Sequence, residues 1–165
     1  MEQLRVTSLR PGELIVGKTL PYLGISLLAT VLILAAARVL FDVEVRGPYL
    51  DLFLATLVYL VGALGWGLMV SSLSDTQALA FQIGIVTSML PALLLSGFIF
   101  PIRSMPVAIQ VITHVVPARY FLVVLRGVIL KGAGLAPYWR DMAFLSLYAT
   151  VVLTVAYLRL TRREV

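Results

Sequence analysis

The sequence contains no cysteine and little charge. Only 13% of its 165 residues are charged, and it has a single histidine. Without cysteine there can be no disulfide framework and no thiol chemistry. A hydrophobic content of 61%, combined with so few charges, excludes an ordinary soluble domain, in which roughly a quarter of the residues are charged. The composition therefore predicts an integral membrane protein.

Acidic and basic residues are missing from four long stretches. Each stretch approaches or exceeds the ~20 residues that a helix needs to cross about 30 Å of hydrocarbon. The four stretches are residues 19–37, 52–74, 76–102 and 142–158. We therefore predict an all-α membrane protein with four transmembrane helices. A signal peptide ending near Ala35–Ala37 is an alternative for the first stretch, but its apolar run is longer than such peptides usually have.

Ionisable groups at membrane depth are also lacking, which limits the chemistry. The sequence has no HExxH, Walker A or GxSxG motif, and no acidic residue in the apolar stretches that could pair with His114. Proton- or sodium-coupled transport normally needs such a buried group. An intramembrane enzyme would have to combine His114 with Ser88 or Ser96, and no spacing supports that combination. We predict a chain that is not an enzyme and binds no metal or cofactor.

The charge that is present is mostly basic and lies at the edges of the apolar stretches. The net charge is +5, but the basic residues form no patch interleaved with aromatic residues, so nucleic acid is not a predicted partner and membrane lipid is. With the N-terminus inside, six basic residues lie in the cytoplasm and seven outside. The positive-inside rule therefore leaves the orientation open.

Prolines divide the region from residue 101 to residue 134. Pro101, Pro106 and Pro117 cut an apolar segment into pieces too short to span, and Arg103 and Arg119 lie within it. Broken backbone in a membrane must be buried in protein or line a cavity. We expect short helices that lie in or dip into one membrane face, and we predict that this region is functional.

Small residues recur at every fourth position of the third stretch. They are Ala80, Gly84, Ser88, Ala92 and Ser96. This spacing lets helix backbones approach closely, so we predict that these residues pack against another helix of this chain or of a second subunit. The alternative is that small residues are simply common in membrane helices.

Three groups of motifs carry a resemblance to a known family. The first is EQL at residues 2–4 followed by TSLRPGELIVGK at 7–18, the second is SGFIFPI at 96–102 with Met105-Pro106, and the third is PARYF at 117–121 with Arg126-Gly127 and Lys131-Gly132. In this order they resemble the bacterial ABC-2-type transporter permeases, and more narrowly the C-terminal portion of such a permease.

The resemblance implies a topology. Both termini would be cytoplasmic in the bacterial inner membrane, and short external re-entrant helices would precede the last span. The expected segments are a cytoplasmic coupling segment 1–18, spans 19–41, 51–73, 77–100 and 140–159, the re-entrant region 101–134 and a cytoplasmic tail 160–165.

The resemblance also implies a function and partners. The chain would be the membrane component of an exporter for a hydrophobic drug-like or lipid-type substrate. It would be driven by a separate cytoplasmic ABC ATPase that holds ATP and Mg²⁺, and paired with a second permease copy or a homologous permease. The alternative is a truncated, non-transporting membrane remnant or scaffold.

Site residues follow from the matching motif positions. The family's ATPase-coupling segment matches Glu2, Gln3, Leu4, Arg5, Leu9 and Arg10. Its external gate matches Pro101, Met105, Pro106, Pro117, Arg119 and Tyr120.

Overall fold

The protein is helical throughout the part that the structure, a computed structural model, describes. Residues 11–163 are described, except for the side chains of 11–15, 18 and 160–163. Within residues 11–163 there is no β-strand, and four helices are long and apolar enough to cross a membrane. The predicted fold class, an all-α membrane protein with four spans, is confirmed.

The first two spans are continuous helices. Helix α1 runs from Pro11 to Phe41 and begins at a proline, which needs no N–H partner in the first turn of a helix. Helix α2 runs from Tyr49 to Leu73. Residues 42–48 connect them as a short loop in which Asp42 adopts a φ of 52°.

The third span contains a π-helical turn. Helix α3 (Gln77–Gly84) continues through the π turn Ile85–Met89 into α4 (Leu90–Leu94), and together they form the third membrane-length helix, Gln77–Leu94. Pro91 has no N–H to donate to the carbonyl four residues earlier, so a regular α-helical pattern cannot pass through this point. A π turn directly before the proline is one way in which a helix accommodates that loss.

The proline-divided region folds as a bent helix pair. A 3₁₀ turn at Ile102–Ser104 leads into α5 (Val107–Ile112), which continues as a 3₁₀ turn at Thr113–Val115. Helix α6 (Pro117–Lys131) then leaves at 85° to that axis. After a further 3₁₀ turn, α7 (Trp139–Arg163) provides the last span.

The core lies between α2, α6 and α7. Leu52 and Ala55 of α2 pack with Val124 and Val128 of α6 in one buried cluster. Farther along α2, two glycines let α7 approach: a Cβ at Gly62 would lie 3.0 Å from the ring of Tyr148, and one at Gly65 would lie 3.1 Å from Leu153. Close helix approach at small residues is the usual mode of packing in lipid.

At one end of the bundle the loop before α2 is bonded to the end of α6, and the loop after α6 is bonded to the start of α2. The Arg46 N–H donates to the Ile129 carbonyl oxygen at 3.2 Å, and the Asp51 carboxylate accepts a hydrogen bond from the Leu135 N–H at 2.8 Å. Gly47 lies directly against the backbone of Val128. These contacts fix the C-terminal end of α6 to the start of α2.

The first and third spans lie at the periphery. None of the residues in the membrane-length stretch Thr19–Phe41, nor in Gln77–Leu94, is buried by the rest of the described chain. Their apolar side chains are available to lipid or to another protein chain.

Candidate functional site

The bend between α5 and α6, which we call the elbow (Thr113–Tyr120), is produced by local sequence. Pro117 disfavours helical geometry at the residue before it, and Val116 accordingly adopts an extended conformation with φ −85° and ψ 111°. A proline is well tolerated in the first turn of a helix, so α6 begins at once. The direction of the chain changes within two residues.

Side chains tie the two arms of the elbow together. Arg119 donates from Nη1 to the Thr113 hydroxyl oxygen at 2.5 Å, and the Tyr120 hydroxyl donates to the His114 carbonyl oxygen at 2.9 Å. Thr113 is completely buried. A hydrogen bond from a charged donor to a buried acceptor is stronger than a neutral, exposed one, so Arg119 is the main side-chain link across the bend.

The hydrogen bonds continue from the elbow towards the start of α5. The Thr113 hydroxyl donates to the Gln110 carbonyl oxygen at 2.7 Å, and the Gln110 side-chain amide donates to the Met105 carbonyl oxygen at 2.8 Å. The structure thus connects Met105 and Arg119, two of the predicted gate residues, through Gln110 and Thr113. Pro117 and Tyr120 belong to the same elbow.

Pro101 and Pro106 act through the backbone. Each directly precedes a short helix, the 3₁₀ turn at Ile102–Ser104 and α5, and each lies in an extended conformation there. Just before them, Gly97 has a φ of +83°, and its carbonyl oxygen accepts a hydrogen bond from Arg126 of α6 at 3.0 Å. The segment that follows the third span is therefore attached to α6.

Two aromatic pairs attach the start of α6 to the bundle. Tyr120 stacks on Phe144 of α7 with ring centroids 3.9 Å apart, and Phe121 stacks on Tyr59 of α2 at 4.4 Å. Such pairs contribute about 0.5–1.5 kcal/mol beyond the burial of their area. They hold the elbow against both core helices.

A cavity of about 480 Å³ lies beneath the elbow. Its walls come from α2, the third span, the elbow and α7, and its lining holds no acidic or basic side chain. The polar groups that line it are Tyr59, Trp66, Thr87, Ser88 and Tyr148. An apolar cavity with a few polar groups is the usual form of a small-molecule site.

The π turn of the third span forms part of the cavity wall. The indole N–H of Trp66 donates to the Thr87 hydroxyl oxygen at 3.2 Å, and that hydroxyl donates to the Ile83 carbonyl oxygen at 2.6 Å. Thr87, Ser88 and Met89 all belong to both the π turn and the lining. π turns within α-helices are frequent at functional sites.

The predicted packing stripe divides into two parts. Ser88 and Ala92 line the cavity, and Ser96 is buried with its hydroxyl donating to the Ala92 carbonyl oxygen. Gly84 has no atom of the described chain within 4 Å of a Cβ built on it. The packing role of Ala80 and Gly84 stays a prediction about contacts with another chain.

Sequence reasoning did not single out several residues of this site. Tyr59, Trp66 and Tyr148 line the cavity from the second and fourth spans, and Gln110 and Thr113 carry the hydrogen bonds of the elbow. Aromatic residues with a polar tip in the middle of an apolar span were an available signal, since a buried Tyr or Trp normally needs a hydrogen-bond partner. Nothing local in the sequence distinguished Gln110 or Thr113.

Two other predictions concern the coupling residues and His114. The predicted coupling residues, Glu2 to Arg10, lie outside the described part of the chain. His114 is exposed, and its side-chain hydrogen bonds join Nδ1 to the carbonyl oxygens of Gln110 and Val111. Those bonds close the end of the preceding helix, and within the described residues no group of His, Cys, Asp and Glu could hold a metal ion.

Arg119→Ala is expected to loosen the elbow. The substitution removes a charge-assisted hydrogen bond worth ~1.5–3 kcal/mol, so the angle between α5 and α6 should vary more widely. The absence of native cysteine allows spin labels on cysteines introduced at Val111 and Val123, both exposed. The distance distribution between the labels should broaden.

Arg103→Ala is the matched control, because Arg103 is an exposed arginine of the same region whose side chain bonds to none of the described residues. An unchanged distribution in Arg119→Ala would contradict the assignment. Thr113→Val, which removes the acceptor while keeping the shape, should reproduce the broadening.

The family match and the similar proteins all point to ABC transporters. The family described as "ABC-2 type transporter" matches residues 1–130. Two relatives from Escherichia coli K12 are named "Probable multidrug ABC transporter permease", YbhS at 34% identity and YbhR at 30%, each over 99% of this chain. A Dictyostelium discoideum relative, "ABC transporter G family member 20", is 25% identical over 99% of the chain. No solved structure gives a significant match.

The relatives are longer than this chain. The chain spans 43% of YbhS, 44% of YbhR and 23% of the Dictyostelium protein. The similarity thus covers nearly all of this chain but less than half of each relative.

Proposed function

Because the chain belongs to the ABC-2 type transporter family, we propose that it is the membrane-spanning permease component of an ABC exporter. The exporter would move a hydrophobic drug-like or lipid-type substrate out of the cytoplasm, using ATP hydrolysed by a separate subunit. Two of its relatives are named as probable multidrug permeases. The chain itself would be a multi-pass protein of the inner membrane with both termini in the cytoplasm.

The observation that carries this proposal is the uncharged cavity between α2, the third span, the elbow and α7. Its apolar wall suits a hydrophobic substrate, and its tyrosine, tryptophan, threonine and serine groups can orient one. The absence of charge from the lining fits a transporter whose energy comes from a partner and not from a titrating group in the membrane.

The elbow is suited to gate this cavity. Val116, Pro117 and Ala118 belong both to the bend and to the cavity wall, so a change in the bend changes the wall. The C-terminal end of α6 is fixed by the bond between Arg46 and Ile129, whereas its N-terminal end depends on the Arg119 and Tyr120 hydrogen bonds and the two aromatic pairs. We assign the elbow as the external gate, opening at its N-terminal end.

The coupling segment, Glu2 to Arg10, is proposed to transmit movement of the ATPase. A cluster of charged and apolar side chains ahead of α1 could bind a cytoplasmic partner, and α1 would carry the movement into the membrane. The remaining proposed partner is a second copy of the permease or a homologous one. The exposed apolar faces of α1 and the third span are available for that contact.

Co-purification with its ATPase tests the proposal. Arg5→Glu reverses a charge in the coupling segment and should lower substrate-stimulated ATP hydrolysis several-fold. Arg103→Glu, which makes the same change in the proposed external region, should leave hydrolysis unchanged. If Arg5→Glu leaves complex formation and stimulated hydrolysis untouched, the coupling assignment is wrong.

A non-transporting membrane scaffold is the alternative function. This alternative predicts that no ATPase is retained by the unmodified chain, and that no substrate stimulates hydrolysis. The same experiment therefore separates the two candidates.

A further inference from the structure

A second cavity lies between α1 and the 42–48 loop. It measures about 480 Å³ and is formed by the end of α1, the loop and the first residue of α2. Its apolar lining residues are Val31, Leu34, Ala35, Val43, Val45 and Tyr49. None of them lines the first cavity.

The position of this cavity corresponds to the membrane interface. The membrane-length stretch of α1 ends at Phe41, so the cavity spans the last turns of that helix and the start of the polar loop. Tyr49 lies at its rim with 73% of its surface exposed. Tyrosine is enriched where lipid tails meet headgroups.

One basic and one acidic side chain complete the lining. Arg38 and Glu44 form an ion pair with 2.6 Å between Nη1 and Oε1, and Asp42 lies 3.5 Å from the same guanidinium nitrogen. All three side chains are at least half exposed. An exposed ion pair contributes little to stability, so its members can exchange partners with a ligand that carries the same two charges.

The walls are set before any ligand binds. After α1 the chain turns back, with the Val43 N–H donating to the Ala37 carbonyl oxygen at 3.2 Å. The far side of the loop is fixed by the bond from the Arg46 N–H to the Ile129 carbonyl oxygen, also 3.2 Å. The loop therefore holds Glu44 opposite Arg38, and a ligand would meet an ordered site.

We propose that this cavity binds a zwitterionic phospholipid with a primary amine headgroup, of the phosphatidylethanolamine class. The Arg38 guanidinium would bind the phosphate, Glu44 would accept hydrogen bonds from the ammonium group, and the apolar wall would contact the upper part of an acyl chain. Arginine suits phosphate because its planar donors match the oxygen geometry.

The local charge selects among lipids. The charged groups of the lining, one guanidinium and one carboxylate, match the two charges of a zwitterionic headgroup, whereas phosphatidylglycerol has no cation for Glu44 and would bring its phosphate close to that carboxylate. A choline headgroup has no N–H to donate to Glu44. The site should therefore prefer an ethanolamine headgroup to both. This inference depends only on α1 lying in a membrane and does not rest on the proposed export activity.

Native mass spectrometry of the full chain in detergent tests the proposal with equal amounts of phosphatidylethanolamine, phosphatidylglycerol and phosphatidylcholine. The unmodified chain should retain mainly phosphatidylethanolamine. Arg38→Gln should lower that retention about fivefold or more, which corresponds to the loss of one charge-assisted contact. Arg140→Gln, an exposed arginine that does not line the cavity, should leave it unchanged.

Two further variants make the outcome specific. Glu44→Gln should shift the preference towards phosphatidylglycerol, since it removes negative charge and leaves Arg38. Ala35→Trp leaves Arg38 and Glu44 in place but should fill the cavity, so it should lower the retention of every lipid. Equal retention of all three lipids by the unmodified chain, or an unchanged lipid ratio in Glu44→Gln, would overturn the proposal.

Discussion

Ala92→Trp is expected to abolish most of the proposed export activity while leaving the protein folded. Ala92 lies on the third span at the wall of the cavity beneath the elbow, and an indole there would occupy much of the space available to a substrate. If one large apolar group of the substrate can no longer be buried, the binding free energy loses ~1.5–3 kcal/mol. Substrate affinity should therefore fall by about tenfold or more. The measurement is efflux of a hydrophobic dye from proteoliposomes that contain the protein and the proposed ATPase partner.

Ala78→Trp provides the matched control. Ala78 lies on the same span, is exposed, and does not line the cavity, so the added indole would lie outside the cavity. Efflux at the parental rate in Ala92→Trp, with the complex intact, would show that this cavity is not on the substrate path. So would an equal loss in both variants.

Gly47→Ala is expected to have the largest effect on stability. A Cβ at this position would lie 2.7 Å from the Val128 carbonyl oxygen and 2.9 Å from its Cγ1 atom. The nearer atom belongs to the backbone of α6, which cannot move aside as a flexible side chain could. The loop must separate from α6, and this separation strains the hydrogen bond from the Arg46 N–H to the Ile129 carbonyl oxygen. Overpacking of this kind costs ~1–3 kcal/mol.

The free energy of unfolding in detergent, measured with a denaturant, checks this result. Gly67→Ala is the control, because no atom of the described chain lies within 4 Å of a Cβ there. Its stability should equal that of the parent or exceed it by up to about 1 kcal/mol, because alanine is the better helix former. Equal stability of Gly47→Ala and Gly67→Ala would mean that the loop does not depend on this contact.

The spans were predictable because their signal is local. Crossing about 30 Å of hydrocarbon requires ~20 uncharged residues in sequence, and each span of this chain satisfies that requirement within its own window. The bend at Pro117 was predictable for the same reason, since proline restricts the residue that precedes it. The motifs at residues 96–102 and 117–121 indicated the family, and the family match over residues 1–130 confirms it.

The candidate site was predictable only in part. Pro117, Arg119 and Tyr120 were singled out by their motif, and the structure brings them together at the elbow. Their partners Thr113 and Gln110 were not, because a threonine in an apolar segment has no feature that shows which distant donor it will meet. The sequence also did not show which small residues would pack closely. Gly62 and Gly65 of α2 pack on α7, while a Cβ at Gly84 would have no contact within the described chain.

Composition and local pattern alone therefore determined that this protein is helical, lies in a membrane, lacks buried ionisable groups in its spans and breaks its backbone after the third span. Only the tertiary structure decided that α2, α6 and α7 form the core, that an uncharged cavity lies beneath the elbow, and that Arg38 and Glu44 meet at a second one. The physical reason is range. Hydropathy and proline geometry act within one turn or one span, whereas cavities and cross-helix hydrogen bonds depend on which helix faces meet.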